Sequence, residues 1–159
     1  HGISLGVTDY IGRIAGGDMV HVGTSRGKLG DQSKFAEIPE IMRTIQDPLD
    51  HIKPMMGVCS GGLTPQNYHY SIDLMGNDIQ LQNGGGVHGH PWGTKSGTIA
   101  ARQSVDAYME KIPVEEYAKD KDHSELLAAI QYWGQKYAVA SEETVIPELG
   151  TKEKDTSKA

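Results

Sequence analysis

Apolar residues at Ile3, Val7, Ile11 and Ile14 recur every three or four positions, the spacing that lines one face of an α-helix, up to the break at Gly16-Gly17. Directly after it, residues Asp18 to Val22 read as a short buried strand. Phe35, Ile38, Ile41, Met42 and Ile45 form a second helical stripe, in which Pro39 either opens the helix in its first turn or kinks it. Met55 to Cys59 is the next strand. Ser60-Gly61-Gly62 leads from it to Thr64-Pro65, a cap followed by a first-turn proline, and a helix is expected from there to about Gly76. Asp78 to Gln82 forms a third strand that empties into Gly84-Gly85-Gly86, and another helix is expected from about Ser96 to Met109. Three successive strand-loop-helix units imply parallel strands, because a parallel neighbour cannot be reached through a tight turn. The predicted class is α/β. Leu126, Ile130, Trp133 and Tyr137 mark a last amphipathic helix, expected to pack outside the sheet, and the polar residues from Gly150 onward are expected to be disordered.

Composition narrows what such a fold would do. The 159 residues are the length of one domain, and 20 glycines with a mean hydropathy of -0.46 describe a loop-rich chain, expected to be soluble and cytoplasmic. A net charge of -6 argues against a nucleic-acid partner and against an anionic membrane, both of which need clustered Lys and Arg. Any anionic ligand must be held by local groups. The single cysteine, Cys59, excludes an internal disulfide and a cysteine-only zinc site. No run of about 18 apolar residues is present. His1 is not an initiator, so a longer parent chain is expected.

Candidate chemistry gathers at the predicted strand ends. His21, Ser60-Gly61-Gly62 and Gly84-Gly85 each fall at a carboxyl end, the edge where parallel α/β folds collect ligand-binding groups. Glycine pairs there let the backbone approach a ligand and aim N–H groups at an anion, for which phosphate is the natural guest. Taken singly, each has an ordinary reading. Gly84-Gly85-Gly86 alone is a turn or linker, His21 a structural histidine and Lys28 a solvated loop charge. His88 and His90 have no nearby carboxylate or cysteine to complete a zinc set. Cys59 reads as a small buried hydrophobe.

Read in order, HVGTSRGKLG, VCSGG and LQNGGGVHGHPWG, separated by helix-sized stretches, resemble the C-terminal part of the large chain of ribulose-bisphosphate carboxylase (RuBisCO), most of all its archaeal-type (form III) branch. The likeness runs from His1 to about Tyr137, and HGISLGVTDYIGRIAGGD resembles the helix after the family's fifth barrel strand. It implies a portion of a (β/α)8 TIM barrel, about strands six to eight, with residues 1–140 as a partial catalytic domain and 141–159 as a polar tail. It implies that His21 contacts a phosphate of ribulose 1,5-bisphosphate, and that Ser60, Gly61 and Gly62 bind a substrate hydroxyl and phosphate. Gly84 and Gly85 would cradle the other phosphate. Lys28 would be the catalytic group, on a mobile loop hinged at Gly23 and Gly27, stabilising charge as carbon dioxide joins the enediol.

The same resemblance implies Mg2+ held by a carbamylated lysine and two carboxylates that lie outside this chain, an oxygenase side activity, and a large-chain homodimer or higher oligomer of dimers. The expected function is therefore that of a carboxylase fragment, yielding 3-phosphoglycerate in the full-length context and inactive alone, with an open β-edge. Two alternatives stand beside it. One is a RuBisCO-like enolase or isomerase acting on a methylthio-sugar phosphate, against which Lys28 and its Gly-Lys-Leu setting argue. The other is a non-catalytic phosphate-binding module.

Overall fold

A computed structural model of the chain describes residues 2–24 and 37–139, with side chains through residue 134. The chain divides into two compact units, residues 1–86 and 87–159. The first runs α1 (Leu5–Ile14), β1 (Met19–Gly23), α2 (Ile38–Gln46), β2 (Met56–Ser60), α3 (Tyr68–Met75) and β3 (Ile79–Gln82), and its strands form one parallel sheet in the order β1-β2-β3. The class is α/β, as the strand-helix alternation predicts, and each strand falls within one residue of its expected limits.

Register sorts the strand residues onto two faces. Val20, Gly57 and Ile79 are in register on one face. It is the helix-covered face, because a Cβ at Gly57 would stand 2.7 Å from Met42 Sδ of α2. Ile38, Ile41, Met42 and Ile45 of α2 are all buried, and Pro39 sits in the first turn, where its missing N–H costs nothing and opens the helix. Phe35 lies outside the described residues. The opposite face carries Met19, His21, Met56, Val58, Ser60, Gln80 and Gln82, by the alternation of side chains along a strand.

The first helix forms where periodicity predicts it, but its apolar stripe has no cover among the described residues: Ile3, Val7, Ile11 and Ile14 are 71%, 49%, 56% and 52% exposed. The residues α1 buries are polar ones, Asp9 and Arg13. Arg13 reaches inward and donates to the carbonyls of Thr44 (2.8 Å), Asp47 (2.7 Å) and Lys53 (3.1 Å). Thr44 and Asp47 stand at the carboxyl end of α2, where those oxygens lack helical partners and a cation is favoured by the dipole.

The expected cap at Thr64-Pro65 does not start a helix; α3 begins at Tyr68. Asn67 is the reason. Its Oδ1 accepts from Thr64 N–H (2.9 Å), and its Nδ2 donates to Gly62 O (3.1 Å), so the turn closes on the amide and the helix starts after it.

After β3 the chain forms the short helix α4 (Gly84–His88), and the second unit continues with α5 (Thr94–Met109), α6 (Val114–Tyr117), a 3-10 turn at Lys121–His123 and α7 (Ser124–Val139). Ala100 of α5 packs with Ala129 and Trp133 of α7, and Val114, Ala118 and Leu126 form a second buried cluster. Gln103 stitches the two long helices, its Oε1 accepting from Leu126 N–H (3.0 Å) and its Nε2 donating to Asp122 O (3.1 Å). Side chains beyond residue 134, including Tyr137, and the expected tail at 141–159 lie outside the described residues. Among the described residues no helix is long and apolar enough to cross a membrane.

Candidate functional site

The sheet's carboxyl edge brings together the residues singled out at the ends of β1 and β2. His21 Nδ1 and Ser60 Oγ lie 2.7 Å apart, a hydrogen bond between neighbouring strands. Whichever atom donates, the bond fixes the ring and leaves Nε2 for another partner. Directly after Ser60 the chain turns through Gly61 (φ +106°) and Gly62 (φ +79°), and after His21 through Gly23 (φ +92°), conformations that side chains resist. Ser60 is in register with Gln82 of β3, so Gln82 shares the face that carries Ser60 and His21. Sequence reading missed Gln82, although the alternation of Gln80 and Gln82 with Ile79 and Leu81 carried the signal.

The three glycines that follow β3 do different jobs. A Cβ at Gly86 would stand 2.4 Å from Leu63 O and 3.0 Å from Thr64 Cα, so this glycine exists to let α4 lie against the segment after Gly62. A Cβ at Gly84 or Gly85 would meet nothing within 4 Å. Neither has the positive φ found at Gly61 and Gly62, so the backbone there is bare rather than strained. Bare backbone at a strand's carboxyl end is what a phosphate approaching main-chain N–H groups requires.

His90 is a structural residue. It is 4% exposed, its Nδ1 accepts from Trp92 N–H (3.0 Å), and its Nε2 donates to Glu125 O (2.9 Å), so both nitrogens are occupied and the tautomer is set. His88 Nδ1 lies 3.2 Å from Thr94 Oγ1. Among the described residues no group of three or more His, Cys, Asp or Glu side chains is placed to hold a metal ion. Cys59 is buried, and burial pushes its thiol up, opposed by the Ser71 and Thr24 hydroxyls. A thiol so placed is held protonated and is no nucleophile. Lys28 and Gly27 lie outside the described residues.

Residues 1–133 match the catalytic domain of the ribulose bisphosphate carboxylase large chain. The chain belongs to the RuBisCO large-chain family. A ribulose bisphosphate carboxylase of Archaeoglobus fulgidus is 43% identical over 148 residues, covering 84% of this chain and 33% of that protein. One from Methanosarcina barkeri is 38% identical, covering 86% and 34%. Among solved structures, the octameric Rubisco of Pyrococcus horikoshii superimposes with a TM-score of 0.75 at 34% identity, over 86% of this chain and 32% of that one. A rubisco-like protein from Alicyclobacillus acidocaldarius gives 0.73 at 27% identity, over 84% and 33%. The kinship is to archaeal-type RuBisCO, and the three parallel strands with their helices are the C-terminal portion of a TIM barrel. The chain spans about a third of the length of the RuBisCO relatives it matches.

Proposed function

We propose that this chain is the phosphate-gripping C-terminal sector of a RuBisCO large chain that adds carbon dioxide to ribulose 1,5-bisphosphate and yields 3-phosphoglycerate. The observation that carries the reading is the His21–Ser60 bond of 2.7 Å at a carboxyl sheet edge followed by the positive-φ glycines Gly23, Gly61 and Gly62. With Nδ1 committed to Ser60, the imidazole presents Nε2 to an anionic oxygen, and the Gly61-Gly62 turn brings main chain without side chains directly beside it. Gly84 and Gly85 offer the second phosphate an unobstructed backbone. The two grips hold the bisphosphate across the barrel mouth, so that its central carbons are fixed for reaction. Lys28 supplies positive charge to the carboxylate that forms as carbon dioxide adds, an interaction made late and therefore felt in turnover more than in binding.

The residues described here do not form a Mg2+ site, and the steps that a magnesium ion would serve are not assigned to them. In this reading the enediol-forming machinery belongs to the two-thirds of the relatives' length that this chain does not span. Residues 1–140 act as part of the catalytic domain and 141–159 as a tail. The octameric assembly of the Pyrococcus horikoshii relative supports a homo-oligomer of large chains. A second reading, enolisation of a methylthio-sugar phosphate, is favoured by the likeness to rubisco-like proteins. The lysine at position 28 favours the carboxylase.

The test is made on the complete large chain carrying this segment. His21→Ala and Ser60→Ala should each weaken binding of a bisphosphate transition-state analogue by tenfold or more, since a hydrogen bond to a charged group contributes about 1.5–3 kcal/mol. Unchanged affinity in both variants overturns the phosphate reading. The isolated chain, supplied with magnesium and bicarbonate, should fix no carbon dioxide, and measurable turnover by it would overturn the assignment of enediol formation to another part of the protein.

A further inference from the structure

The sheet face that carries His21 and Ser60 is graded along the strand direction. Its deepest row pairs Met19 with Met56, in register and exposed at 46% and 37%. Two residues further along, His21 pairs with Val58, and Val58 with Gln80. The top row pairs Ser60 with Gln82. Two exposed methionines at the bottom of the face are out of place on a surface meant for water, and they mark it as one that the rest of a barrel covers. A polar side chain on such a face is then not an ordinary solvated strand residue. It must find a partner in the interior or in whatever occupies the mouth.

Gln80 is that residue. It stands at the same depth as His21, on the same face, one strand beyond Val58, and is exposed in the chain as described. Two strand spacings separate the His21 and Gln80 backbones by about 9.5 Å. Side chains of these lengths, each spanning about half that distance, are long enough to reach one ligand group held over the middle strand. The geometry points to Gln80 as a further ligand-contacting residue, its carboxamide N–H2 donating to the anionic oxygens that His21 Nε2 engages. The inference rests on the phosphate reading of His21 and adds to it a neutral donor from the third strand. A carboxamide suits the place because it donates without adding charge, whereas a carboxylate of the same shape would face the ligand with like charge.

The experiment uses the complete large chain and a carboxypentitol bisphosphate transition-state analogue. Gln80→Leu keeps the size and removes the donors; it should weaken analogue binding about tenfold. Gln80→Glu keeps the shape and reverses the electrostatics; it should weaken binding at least a hundredfold at low salt, and less at high salt as the repulsion is screened. His21→Ala is measured alongside, and circular dichroism checks that each variant is folded. If His21→Ala weakens binding while both Gln80 variants stay within twofold of the parent, Gln80 touches no ligand and the inference is overturned. If His21→Ala also leaves binding intact, the phosphate reading itself has failed and the contact falls with it. Should Gln80→Glu fail to fold, Gln80→Leu alone decides.

Discussion

Gly85 and Gly86 are adjacent glycines in one short helix, and the structure assigns them opposite sensitivities. At Gly86 an added methyl would stand 2.4 Å from the Leu63 carbonyl oxygen and 3.0 Å from Thr64 Cα, both backbone atoms that cannot swing aside. Relieving that overlap means moving α4 or the turn after Gly62, an overpacking cost of about 1–3 kcal/mol. At Gly85 the same methyl meets nothing within 4 Å, and a residue other than glycine in a helix gains a few tenths of a kcal/mol of propensity. Gly85→Val in the complete large chain should therefore fold with stability within about 0.5 kcal/mol of the parent. If its bare N–H groups face a phosphate, the side chain stands where the ligand must come. Losing one or two charge-assisted hydrogen bonds, at about 1.5–3 kcal/mol each, lowers analogue affinity by about tenfold to about ten-thousandfold. Gly86→Ala should show the converse first effect, a clear loss of stability in urea or on heating. Isothermal calorimetry and denaturant titration on the two variants separate the outcomes. A stable Gly85→Val that binds the analogue as the parent does would remove the phosphate from this loop, and an undiminished Gly86→Ala would show that the close packing against Leu63 is not required.

Three further outcomes are expected. Lys28→Ala in the complete chain should leave bisphosphate affinity within a few fold and lower carboxylation by about two to three decades, measured by steady-state kinetics, because one transition-state donor contributes about 3–4 kcal/mol. Burial holds the Asp9 carboxyl above its ordinary range, with its bond to Thr8 opposing, so the folded state binds that proton more readily than the unfolded one. Parent stability should then gain, relative to Asp9→Asn, as pH falls from neutral through the raised value, and parallel stability curves for the two proteins would refute the burial argument. His90→Ala removes the part-buried hydrogen bonds to the Trp92 N–H and the Glu125 carbonyl together with a buried ring, and should destabilise by about 1–3 kcal/mol in a denaturant titration, where a loss below 0.5 kcal/mol would show the histidine to be dispensable.

Strands were the most legible feature of the chain. Each is a short apolar run closed by glycine or a polar turn, and those local signals need no partner to be read. The face that α1 buries was not legible, because periodicity reports spacing and not cover: Arg13 turns inward for carbonyls more than thirty positions away, while Val7 and Ile11 stay exposed. Thr64-Pro65 looked like a helix start, and a single downstream amide, Asn67, captured the turn instead. The site was legible as a set of strand ends. Its internal contact, His21 to Ser60, depends on a parallel register that sequence does not state. The difference between Gly86 and its two predecessors likewise depends on Leu63, a residue from the preceding strand-helix connection.

The most direct test follows labelled carbon dioxide into 3-phosphoglycerate by the complete large chain, with ribulose 1,5-bisphosphate and a methylthio-sugar phosphate offered in parallel. Fixation dependent on ribulose bisphosphate, lost in Lys28→Ala and weakened in His21→Ala, is the expected result. Enolisation of the methylthio-sugar phosphate with no carbon dioxide fixed would contradict the carboxylase reading of this segment.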